Sequence, residues 1–208
     1  DVTLRNSFIR ATDDCVCIKA ASYPPPAANR NVKNILVEHC VLWNAEPGNA
    51  VEIGYEVRCD EISDITFRDL DIVHCQYEGN QSGGVLTIHN ADRAYIHNIV
   101  YEDIRVEDAQ EKFIDIKVLD SKYSLDRSRG RVEDIFFRNI EILNGNFPVS
   151  IIRGFEMHTE MSRPQNIHFD NVVVLGEHIN SPSDLHMVVE LSNDIWFNGK
   201  VHVKRNPF

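Results

Sequence analysis

A pattern of eight positions recurs six times along the chain and limits its fold more than any other feature. It runs apolar, any, apolar, any, polar, apolar, any, apolar. The copies begin at Val2, Ile35, Ile65, Ile99, Ile135 and Ile167, spaced 33, 30, 34, 36 and 32 residues apart. Apolar residues at every second position mark a strand with one buried face. Each copy therefore reads as two short strands joined at the polar position. That position is Asn6, His39, Asp69, Asp103, Asn139 and Asn171 in turn. Asn and Asp tolerate left-handed backbone and satisfy a turn with their own side chains. A third apolar segment lies between copies: Val16-Ile18, Val51-Ile53, Leu86-Ile88, Ile114-Ile116, Val149-Ile151 and Val189-Leu191.

Three strands in each repeat, separated by turns of variable length, define a solenoid. The expected fold is all-β, a right-handed parallel β-helix in a single domain over residues 1–208. An antiparallel sandwich also contains many short strands, but has no reason to repeat one turn residue every thirty-odd positions. In the solenoid, Cys40 falls in a core column with Ser7, Leu70, Ile104, Ile140 and Val172, as a small buried hydrophobe. The chain opens on Asp1-Val2-Thr3-Leu4, which reads as mid-strand, so further N-terminal coils and a signal peptide are expected to precede it.

Charge narrows the partners. With 32 acidic residues against 21 basic, the formal charge is -11. A nucleic-acid or anionic-membrane partner calls for a basic face instead. No run approaches the ~18 apolar residues of a membrane-spanning helix. The five cysteines and nine histidines show no metal-ligand spacing, so neither metal nor cofactor is expected. Loops of unusual length tend to gather on the binding side of a solenoid. Here they are Ala20–Arg30 with Pro24-Pro25-Pro26, Tyr77–Gly84, Asp120–Arg131, Phe155–Arg163 and Gly176–Leu185. Asn80-Gln81-Ser82 fits a glycosylation sequon.

Chemistry is concentrated in the first two coils. Asp13 and Asp14 stand together just before the strand at Val16. Adjacent carboxylates repel, so the pair is either a plain Asp-Asp turn or a site. Glycosidic cleavage needs two carboxylates, one with a raised pKa. Glu52 alternates with Val51 and Ile53, so it faces outward beside Cys17 and Thr87. Its backbone lies roughly 11 Å from Asp14 at ~4.8 Å per rung and ~3.3 Å per residue. Leaning side chains bring such a pair within the ~6.5–9.5 Å of inverting hydrolysis; a solvated glutamate is the alternative. Tyr55 and Glu56 follow, Tyr55 as a candidate platform for a sugar ring, and His89 faces outward on the same sheet.

The segment Thr12-Asp13-Asp14-Cys15-Val16-Cys17-Ile18-Lys19 resembles the Asp-Asp-Cys element of polygalacturonases, glycoside hydrolase family 28. Pro47-Gly48-Asn49-Ala50-Val51-Glu52-Ile53-Gly54 sits where that family carries Gly-His-Gly, and Ile151–Phe155 with Asn166–Val172 resembles its C-terminal coils. Val51–Tyr55 with Asp71–His74 is also similar to dextranase-type enzymes of family 49. The resemblance implies a secreted or periplasmic enzyme that cleaves a poly- or oligosaccharide with inversion. Asp13 would protonate the leaving oxygen and Asp14 would assist the water. Asn49 replaces the family histidine, and the family's third carboxylate lies upstream of Asp1. The Arg-x-Lys pair that grips galacturonate falls on Thr87 and His89, with Lys117 one coil further as a possible substitute. A uronate wants a forked, permanent cation. Thr87 and a mostly neutral His89 supply none, so a neutral glycan is expected. A non-catalytic binding or structural module is the second reading, and a calcium-dependent lyase the third.

Overall fold

The computed structural model describes residues 1–20, 31–76, 83–146, 149–158 and 160–203. The proline-rich excursion after Ala20 and the sequon at Asn80 lie outside the described residues. The rest is a parallel β-solenoid of about five turns. Its larger sheet stacks Val32–Asn44, Glu61–Cys75, Tyr95–Val106, Arg131–Ile142 and Gln165–Val174, led by Val2–Arg5 and Phe8–Ala11. Each long strand is the expected pair of short ones, run together through its polar turn residue. The second sheet stacks Val16–Ala20, Val51–Val57, Leu86–Asn90, Ile114–Val118, Ile151–Arg153 and Val188–Glu190.

The register follows the repeat. Val2, Ile35, Ile65, Ile99, Ile135 and Ile167 pair in one parallel column, which Ile195 extends by a seventh rung. Two positions on, Phe67, Tyr101, Phe137, Phe169 and Phe197 stack with ring centroids 5.0, 4.9, 4.8 and 4.7 Å apart. Burial of each such side chain contributes roughly 1.5–3 kcal/mol. Cys40 takes its place beside Leu70 in the core. Val2 keeps its register but is 58% exposed, because no strand packs on the outer side of the first rung among the described residues.

Every turn residue of the repeat is left-handed, with φ of 51–54° from Asn6 to Asn171. A second left-handed column stands one residue before the isoleucines: Asn34, Asp64, Asn98, Asp134, Asn166 and Asp194, at φ 50–57°. Left-handed backbone costs ordinary residues ~1–2 kcal/mol each. Asn and Asp offset it through ladders between coils. Asn98 Nδ2 donates to Asp64 Oδ1 (2.6 Å), Asn139 Nδ2 to Asp103 Oδ1 (3.0 Å), and Asn171 Nδ2 to Asn139 Oδ1 (3.0 Å).

Two expected segments shift. In the fifth coil Ile152, not Ile151, continues the inward column after Ile116, and Val149 is exposed. Ser150 fills the other inward place, its Oγ accepting the Ile114 N–H at 3.3 Å. In the sixth coil Val189 pairs with Ile152, while Leu191 is a left-handed turn residue. A polar residue at a core position hid this register. Two of the expected polar loops carry structure of their own: Phe155–Met157 and Glu160–Ser162 form an antiparallel hairpin, and Glu177–His178 pairs back onto Val173–Val174.

Candidate functional site

Asp13 and Asp14 turn the chain from the larger sheet into the second. The turn is bolted to the coil above: Asn44 Nδ2 donates to the Asp13 carbonyl at 3.0 Å, and the Cys15 N–H to the Asn49 carbonyl at 3.0 Å. Gly48 makes this approach possible. At its φ of +138° a Cβ would lie 2.6 Å from the Asp13 carbonyl carbon.

The two aspartates differ sharply. Asp13 is exposed, and its Oδ1 accepts the Asp14 N–H at 3.0 Å. Asp14 is half-buried, and its Oδ1 accepts both the Asn49 N–H (3.0 Å) and Asn49 Nδ2 (2.6 Å). The buried Asn49 in turn accepts the Gly84 N–H at 2.9 Å. Asn49 therefore anchors a carboxylate and does not titrate.

Glu52 leans onto Asp14. Donor atoms of Asp14, Cys17 and Glu52 lie within 4.8 Å of one another. That is closer than the inverting range of ~6.5–9.5 Å expected for the pair. Burial and then the nearby Glu52 raise the Asp14 pKa above its ordinary value. Burial pulls Glu52 the same way, but hydrogen bonding and charge from His89 outweigh it and hold Glu52 low. The two neighbouring carboxyls are thus pushed apart, Asp14 upward and Glu52 downward. The Cys17 thiol, pushed well up by burial and by Glu52, stays protonated; its Sγ lies 3.5 Å from Glu52 Oε2 and 3.3 Å from the Gly54 carbonyl. The Cys17 thiol thus links the trio by hydrogen bonding.

Glu52 and His89 point away from the core, as expected, but not into solvent. Glu52 is 2% exposed and His89 0%. His89 Nδ1 lies 2.7 Å from Glu52 Oε1, and its Nε2 is 3.5 Å from Asp115 Oδ2, an electrostatic approach too long for a good hydrogen bond. Burial alone would lower the His89 pKa, but Asp115 and Glu52 overcome it and raise it. The pull of these two carboxylates favours the charged imidazole over the neutral form expected from the sequence. Two carboxylates flank it, and neither could be ionised so deep without a cation. Lys117 Nζ lies 2.9 Å from Asp115 Oδ2, so both candidate cations for a uronate already face carboxylates of this chain, Lys117 on Asp115 and His89 on Glu52.

Tyr55 does not offer a free ring face to a sugar. It stacks on His89 with centroids 4.6 Å apart, and Tyr123 tilts against it at 5.3 Å. Glu56 pairs with Lys19 at 2.8 Å. The alternation that placed Glu52 also puts Asp115 in its row: Cys17, Glu52, Thr87 and Asp115 are register partners. Asp115 was therefore findable from the repeat. Tyr123 was not, because a loop has no period. Neither a protein-family model, nor a curated protein, nor a solved structure matches the chain.

Proposed function

We propose that the chain hydrolyses glycosidic bonds of a poly- or oligosaccharide, with Asp14 as the proton donor. The observation that carries this reading is the Asp14–Glu52 pair, with carboxyl oxygens within 4.8 Å, the pKa of half-buried Asp14 pushed up and that of buried Glu52 held down. Pairs whose environments push their pKa values apart are how enzymes obtain acid and base from two identical groups. The family resemblance implies Asp13 as the proton donor. Asp13 is exposed and free of burial, and is better suited to positioning and deprotonating the attacking water. Asp14 and Glu52 stand closer than the ~6.5–9.5 Å of an inverting pair, so the inverting course implied by the resemblance requires the water to be held by Asp13 instead. Commitment of His89 to Glu52 and of Lys117 to Asp115 favours a neutral glycan.

The test is hydrolysis of a panel of neutral and acidic glycans by the wild type, Asp14→Asn and Asp13→Asn. Asn keeps the shape and cannot deliver or take a proton. Both variants should lose hydrolysis by at least ~100-fold with little change in melting temperature. Full activity in Asp14→Asn would reject the reading. A non-catalytic solenoid module is the second reading. It is favoured by the clamp of Asn49 on Asp14 Oδ1, which is also what a purely structural turn would use.

A further inference from the structure

The outer face of a solenoid sheet ordinarily meets water, yet Glu52, His89 and Asp115 on this face are buried. Part of its cover is aromatic. The Tyr55 ring lies on His89, and the Tyr123 ring closes on Tyr55 from the loop that follows the strand Ile114–Val118. Gly54 sets the approach of Tyr55: a Cβ there would lie 2.4 Å from the His89 carbonyl oxygen.

The loop carrying Tyr123 is built to stay in place. The buried carboxylate of Asp92 accepts the Leu125 and Asp126 N–H groups on Oδ1 (2.7 and 2.8 Å) and the Val57 N–H on Oδ2 (3.2 Å). One side chain therefore ties the Tyr123 loop to the strand that carries Tyr55. Asp126 adds a latch, accepting Arg58 Nε at 3.0 Å and Arg93 Nη1 at 2.8 Å. Within the loop, Ser121 Oγ accepts the Tyr123 N–H at 3.1 Å.

We propose that Tyr55 and Tyr123 are positioning residues for the Asp14–Glu52 pair, forming an aromatic seal that holds the His89 ring on Glu52 and keeps water away from it. A hydrogen bond shielded in this way is electrostatically stronger than a hydrated one. The seal fixes Glu52, and Glu52 fixes which carboxyl keeps the proton. The catalytic part of this inference rests on reading Asp14 and Glu52 as the acid unit. The seal itself does not.

The test compares wild type with Tyr123→Ala and Tyr123→Phe by NMR of the His89 ring N–H, assigned by its loss in His89→Gln. A sealed, hydrogen-bonded ring N–H exchanges slowly with solvent and remains visible. It should persist in the wild type and in Tyr123→Phe, which keeps the ring contact. In Tyr123→Ala it should be lost to exchange while the backbone amide spectrum stays folded. With a cleaved glycan in hand, kcat in Tyr123→Ala should fall on the order of 10- to 100-fold. KM should hold nearly constant, and Tyr123→Phe should restore kcat. An unchanged, protected N–H in Tyr123→Ala overturns the seal. Loss of the N–H with no glycan cleaved by any form leaves the seal standing and rejects the catalytic reading. Loss of the N–H with an unchanged kcat and pH profile overturns the positioning role.

Discussion

Nδ1 of His89 lies 2.7 Å from Oε1 of Glu52, and both side chains are shut away from water. The pair joins two adjacent coils across the outer face of the second sheet. Its charges depend on each other, since either one alone would be stranded in a poorly polarisable interior.

The mutual dependence predicts the pH profile of stability. Glu52 is held below its ordinary 4.5, so its contribution is complete above that pH and fades as pH falls through the lowered value. His89 is held above its ordinary 6.5, so its contribution is complete below that pH and is lost as pH rises through the raised value. Between 4.5 and 6.5 the pair contributes fully. Urea unfolding across pH should show a maximum there. His89→Gln should lower it by about 3 kcal/mol, as for one partner removed from a buried pair, and should flatten the alkaline limb. An unaltered alkaline limb in His89→Gln would mean that another group titrates there.

Tyr101 offers a stabilising change. Its ring belongs to the core stack, and its hydroxyl is fully buried with no hydrogen-bond partner among the described residues. Removing an unsatisfied hydroxyl recovers its desolvation cost, typically 1–3 kcal/mol. Tyr101→Phe should therefore raise the unfolding free energy by about 1 kcal/mol. A loss of stability would show that the hydroxyl has a bound partner.

The left-handed columns separate backbone from side-chain effects. Asn139 sits at φ 51° and links Asp103 to Asn171 through its amide. Asn139→Ala should cost roughly 1–2 kcal/mol more than Asn139→Gly, because glycine keeps the backbone freedom and loses only the ladder. Equal costs, measured by chemical denaturation, would assign the position to its hydrogen bonds alone.

Core and surface should differ as the register requires. Ile104→Ala in a middle rung should cost ~2–5 kcal/mol, as buried large-to-small changes do. Truncating Lys122 should stay within ~0.5 kcal/mol, since its ring contact with Tyr123 is at the surface. Comparable losses at both would contradict the inward assignment of Ile104.

Much of this architecture was legible because the solenoid repeats its physics. Isoleucine columns and turn residues sit where the eight-position pattern puts them. The second left-handed column, Asn34 to Asp194, was equally visible, as an Asn or Asp before each isoleucine, and was overlooked. The site was only partly legible. Alternation placed Glu52 and His89 on the outer face, but part of the aromatic cover there comes from Tyr123, on a loop with no periodicity. The approach of Glu52 and Asp115 to the two His89 nitrogens is a matter of side-chain geometry, which the repeat does not specify.

Two left-handed columns at fixed places make each coil a self-terminating unit. A chain cut after one turn residue and rejoined at the next meets the same backbone angles and the same facing isoleucine. Duplicating residues 104–139 should therefore splice in as one more rung, lengthening the molecule by about 4.8 Å without a new junction to design. Length along the axis is thus an adjustable quantity in this protein.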